Sequence, residues 1–130
     1  MYLPLWALDR PIINSFDIDG VIYMGEGKTG VFPGPGDIII TGRSYEERTK
    51  TLKMLSERGI ENAVFFNPLK EVDKTRLSSG RWKASTLRHF LESGVRIGIH
   101  FEDDPIQVEV IKSLVYEIKV VHLVHDITEK

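Results

Sequence analysis

The sequence predicts one α/β domain: a Rossmann-like three-layer sandwich with a mainly parallel five-stranded sheet, a small β-hairpin flap and no cap domain. Three observations carry this expectation. Short apolar runs alternate with amphipathic stretches along the chain, the pattern of strands joined by helices that cover both faces of a parallel sheet. The 130 residues suit one domain with a core of its own and hardly two. Acidic residues recur just past the ends of the apolar runs, where ligands bind in an open parallel sheet.

Ile12–Asp17 reads as a strand that ends in a charged turn. Val21–Pro35 is rich in Gly and Pro, with a β-prone piece on each side of Gly25–Gly30, which predicts the hairpin flap. Three consecutive isoleucines, Ile38–Ile40, predict a buried strand stopped by Thr41-Gly42. Ser44 and Glu47 form a capping-box pattern for a helix over Ser44–Arg58, with Leu52, Met54 and Leu55 as its apolar stripe and Gly59 as its stop. Asn62–Phe66 reads as a short strand and Asn67–Gly80 as a polar connection. A helix over Trp82–Ser93 carries Leu87, Phe90 and Leu91 on one face. Val95–Phe101 is the next strand. Pro105 opens a helix that presents Ile106, Val110 and Leu114 on one side. Ile118–Val124 is the last strand.

Composition narrows the function classes. Hydrophobic residues make up 42% and charged residues 28%, which excludes a disordered chain, a collagen and a membrane-spanning protein. The formal net charge of −2 argues against a nucleic-acid-coating role, which wants a basic excess. No cysteine is present, so disulfides, thiolate catalysis and cysteine metal sites are excluded, and a cytoplasmic setting is expected. Met1–Leu8 is apolar but short, holds Pro4 and lacks a basic start, so it reads as an arm packed on the domain and not as a secretory signal.

The candidate site gathers Asp17 and Asp19 after the first strand, Thr41 and Gly42 after the second, and Glu102, Asp103 and Asp104 after the strand ending at Phe101. Several carboxylates at one crevice repel each other unless a cation sits among them. Hard oxygen ligands with no Cys and no paired His point to Mg²⁺.

These segments resemble the signatures of the haloacid dehalogenase-like phosphohydrolase superfamily. Phe16-Asp17-Ile18-Asp19-Gly20-Val21 is similar to its first motif. Ile38-Ile39-Ile40-Thr41-Gly42-Arg43 is similar to the second, Lys83 at a helix start to the third, and Ile99-His100-Phe101-Glu102-Asp103-Asp104 to the acidic fourth. All four stand in the family order across nearly the whole chain. The resemblance implies a capless, Mg²⁺-dependent phosphatase that hydrolyses a phosphomonoester through an aspartyl-phosphate. Asp17 would be the nucleophile and Asp19 the general acid and base. Mg²⁺ would be held by Asp17, the Asp19 backbone carbonyl and Asp103, with Asp104 completing the acidic set or orienting Lys83. Thr41 and Gly42 would hold the phosphoryl group and Lys83 would neutralise it, while Arg43 stands near enough to the proposed site to touch substrate. Lys70 and Lys74 compete for the lysine role, and Glu102 for the ligand role of Asp103. A polynucleotide-end phosphatase, a phosphotransferase and a non-catalytic binding module remain as alternatives. The expected partner is a phosphorylated small molecule or a nucleic-acid or protein end, with no membrane and a possible homo-oligomer.

Two other motifs carry less. Gly25–Gly30 spells Gly-x-Gly-x-x-Gly, but Pro33-Gly34-Pro35-Gly36 forbids the helix that a dinucleotide site requires. His122 and His125 follow the pattern of a strand end, and His89 and His100 read as ordinary residues of a helix and a strand.

Overall fold

A computed structural model of the chain describes residues 11–125. The Met1–Leu8 arm lies outside the described residues. The elements in order are β1 (Ile12–Phe16), β2 (Ile38–Ser44), a 3₁₀ turn (Tyr45–Glu47), α1 (Arg48–Ser56), β3 (Val64–Asn67), α2 (Arg76–Glu92), β4 (Arg96–Glu102), α3 (Pro105–Leu114) and β5 (Lys119–His122). The five strands form one all-parallel sheet in the order β3-β2-β1-β4-β5, so the predicted fold class holds, and among the described residues no cap domain interrupts it. Among the described residues no helix is long and apolar enough to cross a membrane.

Each face of the sheet buries its own apolar cluster. Ile38, Ile40 and Ile97 pack under Ala84 and Leu87 of α2 and Ile111 of α3. Phe16 and Ile39 pack against Leu55 of α1 and against Ile18, Val21 and Ile22 from the segment after β1. β1 lies at the centre, and the chain builds outward from it in both directions. That order places the topological switch, and hence the ligand crevice, at the carboxyl end of β1.

Four local expectations are corrected. The Gly/Pro-rich segment forms turns with one isolated bridge, Asp19 to Tyr23, and a Val31 N–H to Val21 C=O bond of 2.8 Å, not two paired strands. Its glycines and prolines favour turns over a ladder. α2 begins at Arg76, inside the stretch read as a polar connection. Thr75 caps it by accepting from the Ser78 N–H, and the Ser78 side chain returns the bond to Thr75, a capping box with Ser in place of the usual Glu. Lys83 therefore sits within the helix and not at its start. The Ser44 cap accepts from Glu46 N–H and opens the 3₁₀ turn before α1. Finally, α3 buries Gln107, Val108 and Ile111, while Ile106 and Leu114 are exposed.

β4 carries an irregularity that positions the site. Ile13 pairs with Ile97 but Ser15 pairs with His100, so β4 spends one more residue than β1 over this stretch. Asn14 Oδ1 accepts the Ile99 N–H at 3.1 Å. A Cβ on Gly98 would lie 2.9 Å from Ile12 Cγ2, so the close approach needs glycine there.

Candidate active site

β1 and β4 deliver the first two acids side by side. Asp17 N–H donates to Phe101 C=O at 3.1 Å, and the Phe16 and Phe101 rings stack with centroids 4.6 Å apart. This registers Asp17 beside Glu102. Lys83 reaches both from α2: its Nζ lies 3.1 Å from Asp17 Oδ1 and 2.8 Å from Glu102 Oε1, and the side chain is 1% exposed. Asp103, next along the chain, closes the group. One ligand oxygen each from Asp17, Glu102 and Asp103 lie within 4.8 Å of one another, and all three residues are buried.

Charge explains the protonation pattern. Burial pushes the Asp17 carboxyl well above its usual range, the negative charge of Glu102 adds to this, and Lys83 only partly opposes it. Burial also works against ionised Glu102, but Lys83 and the His100 hydrogen bond hold its carboxyl well below the usual range. Burial alone would lower Lys83, yet Asp17 and Glu102 outweigh it and keep the ammonium charged. One ammonium thus faces three acids. A proton on Asp17 relieves the imbalance, and a cation of charge two would relieve it further.

Of the two competing lysines before α2, Lys74 does line the cleft, but its Nζ donates to Gly42 C=O at 3.0 Å and pairs with Glu71 at 2.8 Å. Lys83 makes the contact to Asp17. Glu102 has both oxygens engaged, Oε1 by Lys83 and His100 and Oε2 by the backbone N–H groups of Asp103 and Asp104. Its geometry suits holding the ammonium, which leaves Asp17 and Asp103 as the better placed cation ligands.

The other expected residues take varied positions. Asp19 is locked in a bidentate pair with Arg43, Nε to Oδ2 at 2.9 Å and the second nitrogen to Oδ1 at 2.7 Å, while a third guanidinium nitrogen reaches Thr51 Oγ1 at 3.1 Å. Burial opposes the Arg43 charge and Asp19 more than restores it. Thr41 is fully buried. Its hydroxyl accepts the Arg43 N–H at 3.0 Å within β2, and the adjacent cleft wall is formed by Gly42 and Arg43. Asp104 corrects its expected place in the metal set. One of its oxygens accepts the Ile106 and Gln107 N–H groups at the start of α3, and both pair with Arg76. Burial works against its charge, but Arg76 and these N–H groups hold its carboxyl below the usual range.

A cleft of about 730 Å³ opens over this edge, lined by Asp17, Asp19, Arg43, Lys83, Asp103 and His125 among others. Two features escaped the sequence reading. His100, taken as ordinary, is fully buried; its Nδ1 meets Ser15 Oγ at 2.7 Å and its Nε2 meets Glu102 Oε1 at 3.2 Å. A polar Ser and a His inside apolar strands were the available signal. His125 meets Asp103 Oδ2 at 2.9 Å, and the strand-end rule that selected the acids, applied to β5, points to it as well.

No protein-family model matches this chain, and no curated protein and no solved structure shows significant similarity to it.

Proposed function

We propose that the protein is a Mg²⁺-dependent phosphatase acting on a phosphomonoester through an aspartyl-phosphate at Asp17. The observation that carries this reading is the buried Asp17–Lys83–Glu102 cluster with Asp103 beside it, at the carboxyl edge of a parallel sheet. The donor set fits Mg²⁺: carboxylate oxygens without sulfur, gathered closely around an excess of negative charge. Asp17 and Asp103 would hold the ion, and when bound it would offset the repulsion between an anionic nucleophile and an anionic substrate.

Asp17, ionised with its proton lost to solvent as a bound cation would favour, attacks phosphorus through Oδ, and the bond from phosphorus to the leaving oxygen breaks. Asp19, released by Arg43 and carrying a proton taken from solvent, gives that proton to the leaving oxygen. Water then attacks the aspartyl-phosphate, Asp19 takes its proton, and inorganic phosphate leaves with the Asp17 carboxylate restored. Lys83 supplies a fixed positive charge that needs no rearrangement during the reaction, with Glu102 holding it in place. Asp19 can act only when Arg43 releases one of its oxygens. A phosphoryl group entering the cleft offers the guanidinium a second anion of matching geometry, so substrate binding and release of the acid are coupled.

The purified protein should release phosphate from an aryl phosphate with Mg²⁺, and a hydroxylamine-sensitive phosphoryl group should map to Asp17. Turnover that persists in Asp17→Asn would refute the nucleophile. The Arg43–Asp19 pair also favours a second reading, a module that binds a phosphorylated ligand without turnover. Saturable binding of the aryl phosphate with no phosphate released from it would select that reading.

A further inference from the structure

We infer that the carboxyl end of β5 is a positioning device for Asp103, with His125 as its decisive residue. The inference rests on the reading of Asp103 as a cation ligand. β5 pairs with β4 as far as Glu102 opposite His122. The chain then stays against the site. Leu123 N–H donates to Glu102 C=O at 2.8 Å. His122 Nε2 lies 2.9 Å from Asp103 C=O, and His125 Nε2 lies 2.9 Å from Asp103 Oδ2. Three contacts from one strand end therefore hold the carbonyl of Glu102, the carbonyl of Asp103 and the carboxylate of Asp103.

The chemistry of the acceptors fixes the donors. A carbonyl only accepts, so Nε2 carries the proton in His122, and the proposed device gives His125 Nε2 the same donor role toward Asp103 Oδ2. The Asp103–His125 pair also lies directly against the turn that follows the nucleophile. Gly20 has φ +81°, and a Cβ there would stand 2.0 Å from Asp103 Oδ2 and 2.7 Å from His125 Nε2. The glycine leaves the space that the pair occupies. The contact at Oδ2 fixes the rotation of the Asp103 carboxylate beside Asp17, with which it shares the acidic cluster. Partners of this kind typically govern metal affinity by roughly 10–100-fold. His125 touches neither substrate nor reacting atoms in this role. It acts through Asp103.

Mg²⁺ binding, measured by calorimetry and by the Mg²⁺-dependent shift in melting temperature, tests this without any turnover assay. His125→Leu should weaken Mg²⁺ binding by roughly 10–100-fold, and His125→Gln, which keeps an N–H donor, should recover most of the loss. At saturating Mg²⁺ the His125→Leu protein should regain most of its kcat, a split that general damage to the fold would not produce. Mg²⁺ affinity at the wild-type level in His125→Leu, or equal losses in the Leu and Gln variants, would overturn the inference. Nitrogen-15 NMR of wild-type His125 with Mg²⁺ present gives a check that does not depend on folding of a variant. A proton on Nε2 supports the arrangement, and an unprotonated Nε2 refutes it. Asp103→Asn is the control for the underlying reading. If it binds Mg²⁺ like wild type, the cation site itself is wrong; if only the His125 variants are silent, the site stands and the β5 device falls.

Discussion

Replacing the nucleophile should stabilise the metal-free protein while destroying its activity. At an effective dielectric constant of about 20, Lys83 at 3.1 Å favours ionised Asp17 by about 5 kcal/mol. The Glu102 and Asp103 oxygens, no more than 4.8 Å away, each oppose it by about 3.5 kcal/mol or more. Repulsion wins by about 2 kcal/mol before the cost of burial is added, and burial costs several kcal/mol more for an ion. The group escapes part of this by keeping its proton, which agrees with its raised pKa. Keeping a proton at pH 7 against an ordinary value of 3.8 costs at most about 4 kcal/mol, so the penalty lies between about 2 and 4 kcal/mol. The sign follows: a raised folded pKa gives stability that is present below the unfolded value and lost as pH rises through the folded one. Asp17→Asn keeps the shape and removes the charge, and Glu102 still pairs with Lys83. Metal-free Asp17→Asn should therefore melt roughly 8–16 °C above wild type near pH 7, at about 4 °C per kcal/mol for a chain of this size. The gap should close near pH 4 and reverse when Mg²⁺ binds the wild type alone. Calorimetry in chelator and in excess Mg²⁺ measures both. A metal-free Asp17→Asn that melts below wild type would refute the charge accounting, because it would mean that the Lys83 contact outweighs repulsion and burial together.

Two further outcomes are expected. Lys83→Met leaves the buried Glu102 carboxylate without its ammonium, so it should cost about 3–5 kcal/mol and lower kcat by roughly 10²–10³-fold; denaturant melts with phosphate-release kinetics check this, and wild-type kcat in a folded variant would remove Lys83 from the mechanism. Asp104→Ala removes the cap of α3 and should cost about 1–2 kcal/mol with Mg²⁺ affinity unchanged; because the folded pKa of Asp104 is lowered, the cost should be full above an ordinary value of 3.8 and fade as pH falls through the folded one. A large loss of Mg²⁺ affinity in that variant would return Asp104 to the metal set.

The edge of the sheet was legible because strand ends announce themselves. An apolar run that stops at Asp17 or Glu102 has to leave its last residues at the crevice, whatever the loops do. Asp17, Glu102 and Asp103 meet as that logic requires. Helix boundaries and faces were less legible. Residues 106, 108, 110, 111 and 114 of α3 are apolar and offer two overlapping stripes. The choice was made by Asp104, whose grip on Arg76 and the first α3 N–H groups turns Ile106 outward. The Arg43–Asp19 pair and the His125–Asp103 pair join residues 24 and 22 positions apart, and no periodicity reports a contact fixed only by tertiary geometry. His100 was misread because a lone histidine in a strand looks the same whether it is buried beside a glutamate or merely tolerated.

The surplus residue at Gly98–Ile99 has a consequence for how this site can change. Strand side chains alternate, so the surplus sets which of Phe101 and Glu102 meets the lysine. Deleting one position there would transpose an aromatic ring and a carboxylate across the sheet, stranding the acid among Leu55 and Ile39 and the ring against the ammonium. Drift in the length of this strand is therefore closed to the protein.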